Sequence, residues 1–335
     1  MHNKHLERDE LVGKTIDVHT HAGISIRVFA EGGFPSCSSI EDLYYRQVCN
    51  GVDYSVVFPR APELFFDILH YATTGELVPA TQPISKAPYA HENKMLLFEI
   101  FRYCPERANH FLPFVSVDPG RKVKEQLAAL DELEEQFPIY GIKIAPVACQ
   151  TSVLKLIQEG ETFLDRAQAR NWPILFHVTV DPGEKFSGAK ETFRVIEKHP
   201  EIRYCLAHCI GLHRGYLDRA DAMPNVWVDT SALKIQVQLA DENSSVMAPP
   251  GERLDCDCSD HLKVMQALVQ HYPRTIVWGS DAPAHSYISR RLQAEGYYRD
   301  FRLKGTYEEE KAAWDVLSDQ EREQLGSNAL QFIFG

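Results

Sequence analysis

Eight short, β-rich apolar runs alternate with longer helical patterns along this chain, and that alternation restricts its fold more than any other feature. The strand candidates are residues 15–19, 54–59, 111–117, 140–145, 173–178, 203–208, 226–230 and 275–280. Most are continuous apolar runs, the pattern of parallel strands covered by helices, rather than strict apolar–polar alternations. Helical patterns lie between them, clearest at 121–136, 162–171, 189–199 and 260–271. Several break at a proline that leads into the next strand: Phe137-Pro138, Trp172-Pro173, His199-Pro200, Met223-Pro224 and Tyr272-Pro273. A residue before proline is pushed out of the α region, so each pair is a stop signal.

Strand then helix, eight times over, predicts an α/β fold whose parallel sheet closes into a (β/α)8 TIM barrel. No low-complexity linker or composition shift interrupts residues 1–335, so one domain is expected, and barrels reach about 250 residues or more as single domains. Two connections exceed ordinary loops: residues 60–93 after the second strand and 232–259 after the seventh. Both leave strand C-terminal ends, where barrel enzymes place insertions that enclose substrate. The first contains an aromatic, helix-like run over 63–71.

Composition narrows the partners. Apolar residues at 44% and charged residues at 24% allow a sizeable core. A net charge of −12 argues against a nucleic acid or an anionic membrane surface, both of which need a basic footprint. A small acidic substrate is still compatible, because a local arginine or histidine pocket outweighs global charge. Residues 1–10 lack an apolar signal core, and no apolar run is long enough to span a bilayer. With eight scattered cysteines, a reduced cytoplasmic protein with free thiols is expected. Cys256-Asp257-Cys258 lacks the two-residue spacer and second ligand pair of a zinc site.

The chemistry-bearing residues sit at strand ends. In Asp17-Val18-His19-Thr20-His21 the two histidines are two apart, so on a strand both side chains point the same way. The fifth strand runs to His177, the sixth to His208, and the eighth continues through Gly279-Ser280 to Asp281. Any one histidine of this kind is ordinarily a hydrogen-bonded core residue, but four strand ends converging on one barrel mouth point to a metal centre. Lys143 closes the fourth strand. Arg60 directly follows the second, and its fork suits a carboxylate. Arg27 and His285 are further candidates for substrate contact. Trp278 is expected to pack in the core, and the run Glu308–Lys311 to be a solvated helix face.

This pattern resembles the amidohydrolase superfamily, most closely its amidohydrolase-2 branch, which mixes hydrolases with decarboxylases and hydratases. The resemblance extends from His19 to the closing Asn328-Ala329-Leu330. It implies that His19, His21, His177 and Asp281 ligate a divalent metal, Zn²⁺ first and Mn²⁺ or Fe²⁺ as alternatives, as one or two ions. His208 would complete a second metal site or polarise the substrate. Lys143 is open between a carboxylated bridge, a site contact and a structural salt bridge. The activity implied is water-activated cleavage of a C–N or C–O bond in a small molecule, with Asp281 taking the proton and His208 facing the developing charge. The alternative is non-oxidative decarboxylation or hydration on the same scaffold. A homodimer is expected on the frequency of dimers alone.

Overall fold

A computed structural model describes residues 5–30, 32–292 and 298–335. Its main sheet contains eight parallel strands in sequential order: β1 (Ile16–Ile24), β2 (Tyr54–Pro59), β3 (Phe111–Val117), β4 (Gly141–Ile144), β5 (Ile174–Phe176), β6 (Tyr204–Leu206), β7 (Val226–Asp229) and β8 (Ile276–Val277). A short strand, Cys37–Ser38, is added antiparallel at the end of β1. The sheet closes on itself, because β1 hydrogen-bonds to the chain leaving β8: Val18 N–H to the Trp278 carbonyl (3.1 Å), Asp281 N–H to His19 (2.8 Å), and His21 N–H to Ala282 (2.7 Å).

The two faces of each strand explain the continuous apolar runs. Ile142 and Ile144, Ile174 and Phe176, Tyr204 and Leu206, and Val226 and Val228 pack outward against helices. Leu175, Cys205, Trp227 and Val277 alternate with them and fill the barrel interior, together with Val18, Phe58 and Phe114. Because side chains alternate along a strand, Lys143 points inward between the two outward isoleucines of β4.

The helix Asp319–Phe334 closes the bottom, placing Phe332 and Ile333 against that interior cluster. Asn328, buried on this helix, donates to the carbonyls of Pro273 and Ile276, both at 2.8 Å. Asn328→Ala leaves both without that donor and is expected to lower stability by about 2 kcal/mol in urea denaturation.

Several elements differ from the sequence expectation. β1 runs on to Ile24 because Gly23 and Ile24 find partners in Ser38 and Cys37. The later strands are shorter, so His177, His208 and Asp281 stand just beyond strand ends. Within 60–93 lie the helix Ile68–Thr74 and the start of the helix Ala90–Phe98. The segment 232–259 opens with the helix Leu233–Asp241 rather than a loop. A hairpin of Tyr287–Leu292 with Tyr298–Leu303, for which the sequence suggested no element, follows β8. Among the described residues, no helix is long and apolar enough to cross a membrane. Trp278 is buried against Trp314, as expected, and its indole donates to the Glu310 carbonyl.

The run Glu308–Lys311 is a solvated face only in part: Glu308 is exposed, but Glu310 is turned inward. Glu310 is fully buried, and its carboxyl accepts the N–H groups of Leu233 (2.9 Å) and Lys234 (3.0 Å), capping the helix Leu233–Asp241 from another helix. Burial pushes its pKa well above the usual glutamate range. The folded state therefore keeps a proton that the unfolded state releases, and stability falls as pH rises from the ordinary glutamate value towards the raised one. Glu310→Gln should remove this slope, at most about 1.4 kcal/mol per pH unit. Its melting temperature relative to wild type should then be higher at pH 8 than at pH 5.

Candidate metal centre and active site

Asp281, His19 and His21 meet at the seam where the barrel closes. One ligand atom from each lies within 4.8 Å of the others, and this is the one such group of three found among the described residues. Asp281 Oδ1 is 3.0 Å from His21 Nε2 and 3.4 Å from His19 Nε2. The seam itself sets this distance. Asp281 has a left-handed φ of 61°, which turns its carboxyl back over β1. A Cβ on Gly279 would approach His19 Cβ to 2.8 Å, so only glycine lets the chain pass there. Asp17, fully buried, accepts from the Ser280 N–H (2.9 Å), the His19 N–H (3.2 Å) and the Tyr307 hydroxyl (3.1 Å), clamping the two strand ends together. Burial raises its pKa to about 7, against the pull of those bonds.

Hydrogen bonds fix the tautomers. His19 Nδ1 donates to Asp229 Oδ2 at 2.8 Å, leaving the Nε2 lone pair directed at Asp281 and at Lys143 Nζ, 3.3 Å away. Asp229 Oδ1 accepts from the backbone N–H groups of His208 and Ser231, each at 3.0 Å, and from the Ser231 hydroxyl. His208 Nδ1 faces the Ser231 carbonyl (3.2 Å), which only accepts, so Nδ1 carries the proton and Nε2 faces His177 Nδ1 at 3.1 Å. His21 Nδ1 is buried with no hydrogen-bond partner.

The electrostatics suit a cation. Burial, then the charge of Lys143, lowers His19 to about 3, and burial lowers His21 and, further, His177. Their imidazoles are therefore neutral, with lone pairs available. Burial disfavours charge on Asp281, but the His21 hydrogen bond and the neighbouring histidines outweigh it and hold the carboxyl well below its usual range. Burial brings Lys143 down to about 8, and its Nζ lies 4.6 Å from the centre of the Phe58 ring. Two neutral imidazoles and one carboxylate, converging from rigid strands, form a donor set that fits a divalent transition metal.

A cavity of about 770 Å³ opens above this cluster, and His21, His177, His208, Asp281, Arg27 and Arg60 all line it. Not every predicted contact is equally available. Arg27 is tied to Glu63 (Nε to Oε1, 2.8 Å) and to the Ala148 carbonyl. The Arg60 guanidinium donates to the Pro35 carbonyl at 2.6 Å and has no carboxylate partner among the described residues. His285 is buried outside the lining, its ring 6.2 Å from that of Tyr307, with its pKa lowered to about 4 by burial. His177 stands beside His208 rather than within the three-residue cluster.

Three features were not anticipated from the sequence. Asp229 organises both His19 and His208, and the available signal was a lone acid closing an otherwise apolar seventh strand. Asp17 belongs to the quoted motif but had been given no task. The third is a left-handed turn, with φ of 61°, 51°, 48°, 59° and 58° at His208, Cys209, Ile210, Gly211 and Leu212. It is held by Ala248 N–H to Gly211 and Leu254 N–H to Leu212, both 2.9 Å. All eight cysteines are free thiols; Cys256 and Cys258 approach to 3.8 Å, and no third metal-ligating group joins them among the described residues.

The Amidohydro_2 family model, described as amidohydrolase, matches residues 86–333, a span that includes His177, His208 and Asp281 but begins after His19 and His21. The chain belongs to the amidohydrolase family, in its amidohydrolase-2 branch. Its fold is similar to that of an amidohydrolase from Burkholderia multivorans with bound HEPES (13% identity, TM-score 0.59, covering 96% of this chain and 99% of that one). It is also similar to 2,6-dihydroxybenzoate decarboxylase from Rhizobium (11%, 0.57, 96% and 98%). A third is a dihydroxybenzoic acid decarboxylase from a Polaromonas species, with bound manganese and 2-nitroresorcinol (13%, 0.55, 96% and 96%). No curated protein matches in sequence.

Proposed function

We propose that this protein is a metal-dependent hydrolase that cleaves a C–N or C–O bond, as in an amide, lactone or ester, of a small carboxylate-bearing molecule. The observation that carries the reading is the convergence of Asp281, His19 and His21 at the floor of a cavity whose wall presents Arg60. His19, His21 and Asp281 would hold the ion, with His177 next to them, and a divalent cation there supplies Lewis-acid charge at the reacting centre. Asp281, ionised and facing the cavity, is the acceptor for a proton from attacking water and its later donor to the leaving group. His208, its ring held at Nδ1 by Ser231 and its backbone N–H by Asp229, lines the cavity and polarises the substrate oxygen on which charge develops, a role that needs a proton on its Nε2. Arg60 pairs with the substrate carboxylate and fixes its orientation.

The decarboxylase reading rests on the same guanidinium. Arg60 and the metal cluster line one cavity, so a carboxylate held between them is placed for loss as carbon dioxide. Product analysis separates the two. A panel of carboxylated lactones, amides and phenolic acids is incubated with metal-loaded protein, and hydrolysis products or labelled carbon dioxide are measured. Release of carbon dioxide without hydrolysis would overturn the first reading in favour of the second. Elemental analysis should find about one divalent ion per chain; none after reconstitution with zinc or manganese would sink both.

Arg60→Ala is expected to raise KM for an acidic substrate about tenfold or more, with kcat changed little, as for the loss of a charge-assisted hydrogen bond made equally in ground and transition states. An unchanged KM would return Arg60 to a purely structural role.

A further inference from the structure

Cys256-Asp257-Cys258 is a motif that the metal centre leaves without a task. Its two sulfurs lie 3.8 Å apart, and both side chains are only half-buried. The surrounding chain holds them side by side. Upstream, the Leu254 N–H bonds to the Leu212 carbonyl and the Arg214 N–H to that of Glu252, both at 2.9 Å. At the centre, Asp257 Oδ1 accepts the Ser259 N–H (3.1 Å) and hydroxyl (2.6 Å), while Oδ2 pairs with Lys263 at 2.7 Å. A carboxylate that bonds the backbone two residues on makes a tight turn. Residues two apart have Cα atoms at most about 7 Å apart, and less where the chain bends, which is the range that disulfides span.

The two thiols are not equivalent. The Arg253 guanidinium, fixed by the carbonyls of Ala240 (2.9 Å) and Ala248 (2.8 and 3.0 Å), also faces the Cys258 sulfur. The hydrogen bond with Cys256 and then this guanidinium hold the Cys258 thiol below its usual range. The same bond, with burial, holds Cys256 above it. The thiolate is the attacking form of a cysteine, so Cys258 has the character of a nucleophile and Cys256 that of a resolving thiol beside it. The fully buried thiols differ: burial raises Cys149, Cys205 and Cys209 well above the ordinary range.

We propose that Cys256 and Cys258 form a modification site that reduces a hydroperoxide and closes into a reversible disulfide. The Cys258 thiolate attacks one peroxide oxygen; an S–O bond forms and the O–O bond breaks. With hydrogen peroxide, the departing oxygen takes up the proton lost by Cys258 and leaves as water. The Cys256 sulfur then attacks the resulting sulfenic acid; the S–S bond forms, the S–O bond breaks, and a second water leaves with the Cys256 proton. Two thiols are thereby oxidised by two electrons, and one peroxide is reduced to two waters. The sulfurs approach from 3.8 Å to about 2 Å, a change within the range of side-chain rotation.

The test uses the full chain loaded with zinc, which takes no part in redox chemistry. The protein is treated with hydrogen peroxide, its remaining thiols are alkylated, and tryptic peptides are weighed. One peptide, 254–263, contains both cysteines. It is expected to lose two hydrogen atoms and to escape alkylation, and dithiothreitol should restore it. The exposed Cys37 and Cys49 serve as internal controls and should react at least about tenfold more slowly. Cys256→Ser should accumulate a sulfenic acid at Cys258 that dimedone traps. Cys258→Ser should slow oxidation of Cys256 by about tenfold or more. Alkylation of both cysteines after Cys37 and Cys49 have been oxidised would overturn the proposal. So would oxidation of Cys258 to a sulfinic acid without the disulfide, or an unchanged rate at Cys256 in Cys258→Ser.

Discussion

Asp281→Asn is expected to lower turnover by about 10³-fold, the scale of a lost general acid–base group, in a protein that still folds. The amide is nearly isosteric, so the seam bonds of the backbone, Asp281 N–H to His19 and His21 N–H to Ala282, are retained. What is lost is a charge and a basic oxygen at the atom that touches both imidazoles, Oδ1. Far-UV circular dichroism and melting temperature separate this from misfolding. Retention of most activity would rule out Asp281 as the proton acceptor. An added fall in metal content would show that the carboxylate also holds the ion, which its place in the cluster implies.

The second large effect concerns metal retention and pairs a ligand with its support. His19→Ala removes one of the converging donors, and bound metal should fall sharply. Asp229→Ala leaves all donors in place but frees the His19 ring and removes the acceptor that fixes its tautomer; losses of about 10–100-fold in metal affinity accompany such changes. Competition with a chromophoric chelator measures both. The predicted order is wild type, then Asp229→Ala, then His19→Ala. Wild-type affinity in His19→Ala would remove that residue from the site, and wild-type affinity in Asp229→Ala would mean that the interior packing of His19 against Phe58, with ring centres 5.0 Å apart, suffices to orient it.

The barrel was legible because its signal is redundant. Eight apolar runs broken by prolines leave little freedom for a parallel sheet, and errors of a few residues at each end do not change the topology. The convergence of His19, His21 and Asp281 was legible for the same reason, since strand ends of one barrel share one mouth. Position within the mouth was not. Whether His177 stands nearer the cluster or nearer His208 depends on side-chain geometry that spacing does not encode. Glu310 reads as part of a solvated charged run because its neighbours Glu308 and Glu309 are outside; its burial follows from a helix terminus contributed by residues far away in sequence. The left-handed turn at His208 is equally silent. Only one of its five residues is a glycine, and the conformation is imposed by hydrogen bonds from residues 248 and 254. His285 was a reasonable candidate on proximity to Asp281, but the chain after Asp281 turns it inward against Tyr307.

The seam also has a meaning in time. His21 and Asp281 are 260 positions apart, so on a ribosome adding about 5–20 residues per second the second of them emerges tens of seconds after the first. Throughout that interval the histidines of β1 are present without their carboxylate, and no N-terminal segment of the nascent chain possesses the centre. Acquisition of an ion in the native arrangement is therefore an event of the finished barrel, gated by closure of its last strand onto its first.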